Sequence, residues 1–246
     1  MAALEWQLGT VTTIQPETPK TKSFYVALPK WAGHRPGQHI DLRLTAPDGY
    51  QTQRSYSIAS PPELSGQLEL TVDLIQDGEV SPYLHDVVMQ GDQLELRGPV
   101  GGYFVWDVTM GGPLLLVGGG SGVVPLMAML RHRAAQHSTI PARLLYSCRT
   151  PDDVIYRDEL NQLAGGGGGG LEVLLTFTRQ APPGWTGYQR RIDAAMLNEV
   201  VKPFGTSART YVCGPTLLVE SVANLLVGMG LPADRVHTER FGPTGS

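Results

Sequence analysis

The sequence predicts two domains: an N-terminal antiparallel six-stranded β-barrel over residues 1–108, and a C-terminal α/β domain with a doubly wound parallel sheet over residues 109–246. Three observations lead there. Short strand-like runs separated by turn chemistry fill the first hundred residues. Apolar strands alternating with helical segments fill the remainder. Between the first strand and first helix of that second half lies Gly118-Gly119-Gly120-Ser121-Gly122, too rich in glycine to belong to either element.

In the first half, residues 4–14, 21–28, 38–45, 53–59, 67–74 and 93–97 read as strands. Pro-Glu-Thr-Pro, Pro-Gly, Pro-Asp-Gly, Ser-Pro-Pro and Gln-Asp-Gly lie between them and supply the turns. One short helix is expected near 81–88. In the second half the strands are 114–117, 142–147, 171–177, 208–213 and 236–238. The helices are 123–135, 153–163, 193–201 and 215–227. Strand–helix–strand repetition of this kind builds a parallel sheet. The glycine run at 165–170 reads as a solvent-exposed loop without a function.

Composition narrows the class. No apolar run reaches the roughly 18–20 residues of a membrane span. The start Met-Ala-Ala-Leu-Glu-Trp has no basic region followed by an apolar stretch, so no secretory signal is expected. A net charge of −4 without a long basic run argues against nucleic acid. Two cysteines, Cys148 and Cys213, are too few for a disulfide framework or an all-cysteine iron–sulfur cluster, and a reducing cytoplasm is expected. Residues 18–40 carry Lys20, Lys22, Lys30 and Arg35 and no acid. That segment is either a solvated strand edge or a docking surface for an acidic partner.

Three motifs carry chemistry. Arg54-Ser55-Tyr56-Ser57 lies on a predicted barrel strand, where alternation sets Arg54 and Tyr56 on one face and the serines on the other. An arginine there can hold a phosphate and a tyrosine can cover an aromatic ring. The 118–122 loop, with a strand before it and a helix after, suits a pyrophosphate held by backbone N–H groups. Cys213 falls at the end of the fourth parallel strand, where ligands of open α/β sheets sit. A lone cysteine in a strand is otherwise a small buried hydrophobe.

Taken together, the chain resembles the ferredoxin–NADP reductase superfamily, flavoproteins in which a flavin barrel precedes a pyridine-nucleotide domain. The resemblance rests on Arg-Pro-Gly-Gln at 35–38, Arg-Ser-Tyr-Ser at 54–57 and Gly-Glu-Val-Ser at 78–81. It continues through Gly-Gly-Gly-Ser-Gly-Val-Val-Pro at 118–125, Cys-Gly-Pro-Thr at 213–216 and Thr-Glu-Arg-Phe at 238–241.

The resemblance implies the roles. Arg54 would hold the FAD pyrophosphate, with Ser55 beside it. Tyr56 would pack on the flavin, and Ser57 would hydrogen-bond near N5. Asp73, Leu74 and Ile75 would give backbone contacts. Gly78, Val80 and Ser81 would open a helix toward the pyrophosphate, Ser81 with its hydroxyl. FMN, which lacks a pyrophosphate, is the alternative flavin. Gly119, Gly120, Ser121 and Gly122 would hold the NADP pyrophosphate, with Gly214 and Pro215 nearby. Cys213 would sit beside the nicotinamide, Glu239 would serve proton balance, and Phe241 would stack on the ring or close the interface. Thr178 and Arg179, followed by Gln180 and no acid, resemble the family's NADP-type pair and, with Arg191, favour NADP over NAD. Arg149 and Arg157 are alternatives. Tyr188 stands where NADP-binding relatives often have a basic residue. The implied activity is hydride transfer from NADPH to FAD, then single electrons to a separate ferredoxin or flavodoxin docked near Lys20, Lys22, Lys30 and Arg35. A reductase component of an oxygenase, or a flavin subunit of a larger complex, is the alternative.

Overall fold

The structure is a computed structural model and describes residues 4–165 and 170–242. Strands β1 (Gln7–Thr18), β2 (Thr21–Ala27), β3 (His39–Thr45), β4 (Gln51–Ser57), β5 (Gln67–Asp73) and β6 (Gln93–Val100) form one antiparallel sheet, ordered β4-β3-β6-β1-β2-β5. Its two edges meet through the Ile58–Leu70 bridge, and Ala59 N–H donates to Glu69 O at 2.8 Å, so the sheet closes into a barrel. Val11, Phe24, Val26, Ile40, Leu42, Leu68, Leu70 and Leu96 fill the interior. The helix α1 (Val80–Asp86) follows β5 and caps that core with Val80 and Leu84.

β1 starts later than the sequence suggests and runs on through Pro16. Its ladder with β6 covers only Gln7 to Thr10, so Pro16 lies where one edge of the strand has no partner to miss its N–H.

The second sheet is fully parallel. Its strands are β7 (Leu114–Gly119), β8 (Ala142–Cys148), β9 (Leu171–Phe177), β10 (Arg209–Pro215) and β11 (Val236–Phe241), ordered β11-β10-β7-β8-β9. All of β7 is buried, as a central strand covered on both faces must be. Leu114 and Leu116 face the layer holding α2 (Val123–Ala135) and α3 (Arg157–Gly165). Leu115 and Val117 face the layer of α4 (Ala194–Val201) and α5 (Thr216–Gly228).

Two boundaries depart from expectation for identifiable reasons. α3 begins at Arg157, not 153, because Tyr156 takes a positive φ of 58° and Asp153 is tied back to Thr150 N–H at 2.9 Å. β11 continues three residues past the predicted end, because it stays in register with β10 as far as Pro215 opposite Phe241. The 165–170 glycine run lies mostly outside the described residues.

The connector between the sheets is not a loose tether. Phe104 and Trp106 are buried in the core of the α2 and α3 layer. The Tyr211 hydroxyl donates to Val105 O at 2.7 Å, and Trp106 N–H to Pro36 O at 3.2 Å. Gly37 is held against Phe104: a Cβ there would lie 1.9 Å from its carbonyl oxygen. Arg131 of α2 spans the seam. It donates to Glu69 of β5 at 2.7 Å and to Ala59 O at 2.9 Å, and pairs with both carboxylate oxygens of Glu159. Among the described residues, no helix is long and apolar enough to cross a membrane, and no cluster of metal-ligating side chains occurs.

Candidate functional site

Parallel strands end together, and here three neighbours align Gly118 of β7, Cys213 of β10 and Glu239 of β11 in one row. Glu239 then reaches across to the barrel, with Oε1 3.9 Å from Nδ1 of His39. In the barrel ladder His39 stands opposite Ser57. The predicted trio Ser57, Cys213 and Glu239 is therefore brought together from both domains. The link is His39, which the sequence reading missed. Its signal was its place directly after Arg-Pro-Gly-Gln, at the mouth of the strand that pairs with the Arg54–Ser57 run.

Burial dominates the electrostatics of the row. Burial pushes the Glu239 carboxyl up to about 7, and its Oε2 is buried without a hydrogen-bond partner. Burial pushes the Cys213 thiol well up, and the Glu239 charge adds to this. Burial lowers His39, against a smaller opposing pull from Asp41. Cys213 packs in the apolar core, so it has the burial of the bland reading as well as the position of the functional one.

The glycine loop runs from the end of β7 into α2. A Cβ on Gly122 would lie 2.1 Å from the Cys213 carbonyl oxygen, and one on Gly119 would lie 2.7 Å from Leu218. Gly214 is pressed on Gly119 at 3.3 Å by the same measure. Gly119 and Gly122 thus lie directly on the Cys213-Gly214-Pro215 segment, whereas Gly120, at a positive φ of 55°, faces open space between them. Phe241, 37% exposed, stands level with Pro215 at the rim.

On the barrel, Arg54 and Tyr56 stand opposite Leu42 and Ile40. Arg54 is exposed and forms no ion pair among the described residues; its one bond is to Gln53 O at 2.7 Å. Tyr56 is half-buried, and burial pushes its phenol up to about 12. Ser55 faces the other way and donates to Asp41 at 2.7 Å, leaving only its backbone for a ligand on the Arg54 face. The expectation of a free Ser81 hydroxyl is not met. Ser81 is buried and accepts from Ile75 N–H at 3.0 Å, which fixes the turn before α1. Leu74 N–H is likewise spent on Lys20 O at 2.8 Å, and Asp73 accepts from Thr21 at 2.5 Å. Gly78 N–H closes on Ile75 O at 2.9 Å, and Val80 points into the barrel core. What this segment can offer a phosphate is the first-turn N–H groups of α1. Glu79, also unforeseen, ties that turn to β4 by accepting from Thr52 at 2.9 Å and Tyr50 at 3.1 Å.

At the far edge, residues around Tyr188 run parallel beside β9, with Tyr188 bridged to Thr176. The Thr176 hydroxyl donates to Arg190 O at 2.5 Å, which holds this segment against the end of β9. Thr178 and Arg179 are fixed by backbone bonds to Cys148 O and Arg149 O, at 2.9 and 3.0 Å. Arg190 is committed to Asp193 at 2.6 Å, and Tyr188 to Glu199. Arg157 lies 3.9 Å from Asp152. Arg179 and Arg191 form no ion pair among the described residues.

The basic cluster does not assemble. Lys20 and Lys30 flank opposite ends of β2, a seven-residue strand of about 20 Å. Lys22 donates to His85 O at 2.7 Å, and Arg35 lies in the connector region beside Gly102. The four residues are spread along and beyond the strand and do not lie side by side.

A six-stranded antiparallel barrel beside a parallel nucleotide-type sheet, meeting where Glu239 approaches His39, is a two-domain flavin and pyridine-nucleotide oxidoreductase architecture. Family models agree: the oxidoreductase FAD-binding domain matches residues 9–105 and the oxidoreductase NAD-binding domain residues 116–224. The chain belongs to the ferredoxin reductase-like FAD/NAD-binding superfamily. It is 32% identical to the glycine betaine monooxygenase reductase subunit of Pseudomonas aeruginosa, over 85% of this chain and 57% of that protein. It is 30% identical to the propane 2-monooxygenase reductase component of Mycolicibacterium smegmatis, over 94% of this chain and 67% of that protein. The chain thus spans little more than half the length of the first of these relatives. The FAD/NAD-binding domain of a nitric oxide dioxygenase from Vibrio cholerae superposes with a TM-score of 0.85 at 25% identity, covering 96% of this chain and 99% of that one.

Proposed function

We propose that the chain is a flavin-dependent oxidoreductase that takes hydride from NADPH onto FAD and passes electrons singly to a separate acceptor. The row Gly118, Cys213, Glu239, His39, Ser57 carries the reading, because it faces a nucleotide cradle with a flavin-type strand across one cleft. We take residues 1–108 as the FAD-binding domain and 109–246 as the NAD(P)-binding domain.

The bound flavin supplies the conversion between a hydride and single electrons. The chain supplies position. Arg54 and the start of α1 neutralise the FAD pyrophosphate, and Tyr56 covers the ring. The 119–122 cradle holds the pyrophosphate of the second nucleotide. Arg179 and Arg191 take a 2′-phosphate, beside Thr178, whose hydroxyl donates to Cys148 O at 3.3 Å; the two arginines support NADP over NAD. Ser57, Cys213 and Glu239 close on the reacting atoms and keep water out. Glu239, near neutral in its titration, holds or yields a proton at Oε2.

A ferredoxin or flavodoxin is the acceptor class this chemistry suits. The oxygenase-component reading is favoured by one observation, that the relatives above are named as reductases of monooxygenases. Two unpaired, buried cysteines support a reducing, cytoplasmic setting. The test is anaerobic mixing of the FAD-loaded protein with NADPH. Bleaching of the flavin followed by reoxidation with ferricyanide is expected. A flavin that NADPH leaves oxidised would sink the reading and leave a flavin-binding subunit.

A further inference from the structure

We infer that Glu17 is a proton-operated switch in the seam between the barrel and the parallel sheet: ionised, it holds the hydrogen of the Ser23 hydroxyl; protonated, it passes that hydrogen to Glu69. The switch stands whether or not the cleft above transfers hydride.

Local structure aims these groups at one another. Ser23 of β2 stands opposite Thr71 of β5, and Tyr25 opposite Glu69. All four alternate with the core residues Phe24, Leu70 and Val72, so they share the outer face of the barrel. The β1–β2 ladder slips between Pro16 and Thr18. An irregularity of that kind re-aims the residue inside it, and Glu17 reaches Ser23. Against this face lies the turn before α3, where Tyr156 takes its positive φ of 58°. The Tyr156 hydroxyl donates to Thr71 at 2.5 Å, and Arg131 covers the ring at 4.8 Å.

The hydrogens can be counted. Ser23 Oγ has one hydrogen and three oxygen neighbours: Glu17 Oε1 at 2.9 Å, Glu69 Oε1 at 3.1 Å and Thr71 Oγ1 at 2.7 Å. Ser23 is fully buried, which denies it bulk water. Thr71 accepts from Tyr156 and turns its own hydrogen to Ser23. With both carboxylates ionised, Ser23 serves one of them, and the other faces a lone pair. A proton from solvent on Glu17 Oε1 fills the gap: Glu17 donates to Ser23, and Ser23 to Glu69. One O–H bond forms at Glu17; the Ser23 O–H only rotates.

The charges around the cluster favour that uptake. Arg131 pairs with Glu69 at 2.7 Å and with Glu159 at 2.6 Å. Glu17 is a third carboxylate beside one guanidinium and forms no ion pair among the described residues. Tyr25 and Tyr156 face it as neutral phenols, raised by burial first and then by the Glu69 charge. Burial raises the Glu17 carboxyl, Ser23 draws it down and Glu69 pushes it up again; Arg131 and the Tyr156 amide draw it down less. The folded midpoint lies above the ordinary 4.5, so the folded chain binds this proton more tightly than the unfolded one. The stabilising contribution is complete below pH 4.5 and is lost as pH rises through the folded midpoint. Acidification relieves the excess negative charge and tightens the seam.

The test is carbon-13 nuclear magnetic resonance titration of the side-chain carboxyls in the isotope-labelled full chain. Glu17 should titrate above 4.5, and the Glu69 signal should step at the same pH as it gains the Ser23 hydrogen. Ser23→Ala should raise the Glu17 midpoint by about one unit, the worth of a charge-assisted hydrogen bond, and remove most of the Glu69 step. Glu17→Gln, whose amide donates to Ser23 at every pH, should unfold at higher urea than the parent at pH 8 and at the same urea at pH 4. A Glu17 midpoint at the ordinary value, a Glu69 signal that ignores it, or a Glu69 step that survives Ser23→Ala in full overturns the inference. If Ser23→Ala does not fold, the parent titration and the urea midpoints of Glu17→Gln decide, and no gain at pH 8 overturns it.

Discussion

Arg131 and Glu69 meet at 2.7 Å across the seam between the two sheets, one from the helix that opens with the glycine loop, the other from β5 of the barrel. Their side chains are 11% and 3% exposed. The guanidinium also lies 4.8 Å over the Tyr156 ring, and the Tyr156 hydroxyl donates to Thr71 two residues along β5 at 2.5 Å. This cluster fixes the nucleotide loop relative to the strand that leads into the flavin segment. Removing one member of a buried pair strands the other. Arg131→Met should therefore lower unfolding free energy by about 3–5 kcal/mol. Urea denaturation at fixed FAD concentration measures it, and a loss under about 1 kcal/mol would show that the cluster does not hold the seam.

Gly122→Ala tests the cradle. The new methyl carbon would sit 2.1 Å from a backbone oxygen, which has no rotamer to escape by. The loop must move, and a displacement of about 1 Å lowers the rate of hydride transfer on the order of a hundredfold. FAD content should stay near normal, since the barrel is untouched. Rapid-mixing absorbance at the flavin band gives the rate, and an unchanged rate refutes the cradle.

Arg179→Ala and Arg191→Ala should each raise the Michaelis constant for NADPH about tenfold, the worth of one charge-assisted hydrogen bond. Values for NADH should stay put. Steady-state kinetics with both nucleotides decides, and equal effects on the two remove the 2′-phosphate role.

Stability should depend on pH through Glu239. Its carboxyl titrates at about 7 when folded, above the ordinary 4.5. The folded chain therefore binds the proton more tightly, and its stabilising contribution is complete below pH 4.5. It is lost as pH rises from 4.5 to 7, by up to about 3 kcal/mol. Glu239→Gln should flatten that fall and be more stable than the parent at pH 8. Denaturant unfolding at pH 5 and pH 8 checks the sign, and parallel losses in both proteins contradict it.

Much of this was legible locally. Strand alternation, the 118–122 loop and the Cys-Gly-Pro turn announce themselves because short-range rules govern them. The contacts of Gly122 with Cys213, and of Glu239 with His39, were not, since they join positions far apart in the chain and depend on strand order. Ser81 shows the limit in the other direction. A hydroxyl at a helix start reads as a phosphate ligand, yet this one is consumed by a turn six residues back. The spread of Lys20, Lys22, Lys30 and Arg35 teaches the same point: neighbours in sequence are distant once a strand extends between them.

Trp106 has a consequence for how the molecule can be taken apart. Its indole is fully buried under the helices of the parallel sheet, although it arrives before that sheet begins. A fragment starting at residue 109 would leave an indole-sized hole in its own interior and expose the apolar walls around it. The packed unit of the parallel sheet therefore starts upstream of residue 109. Any chimaera that exchanges the nucleotide half for another must make its splice upstream of Phe104, carrying the plug along with the socket it fills.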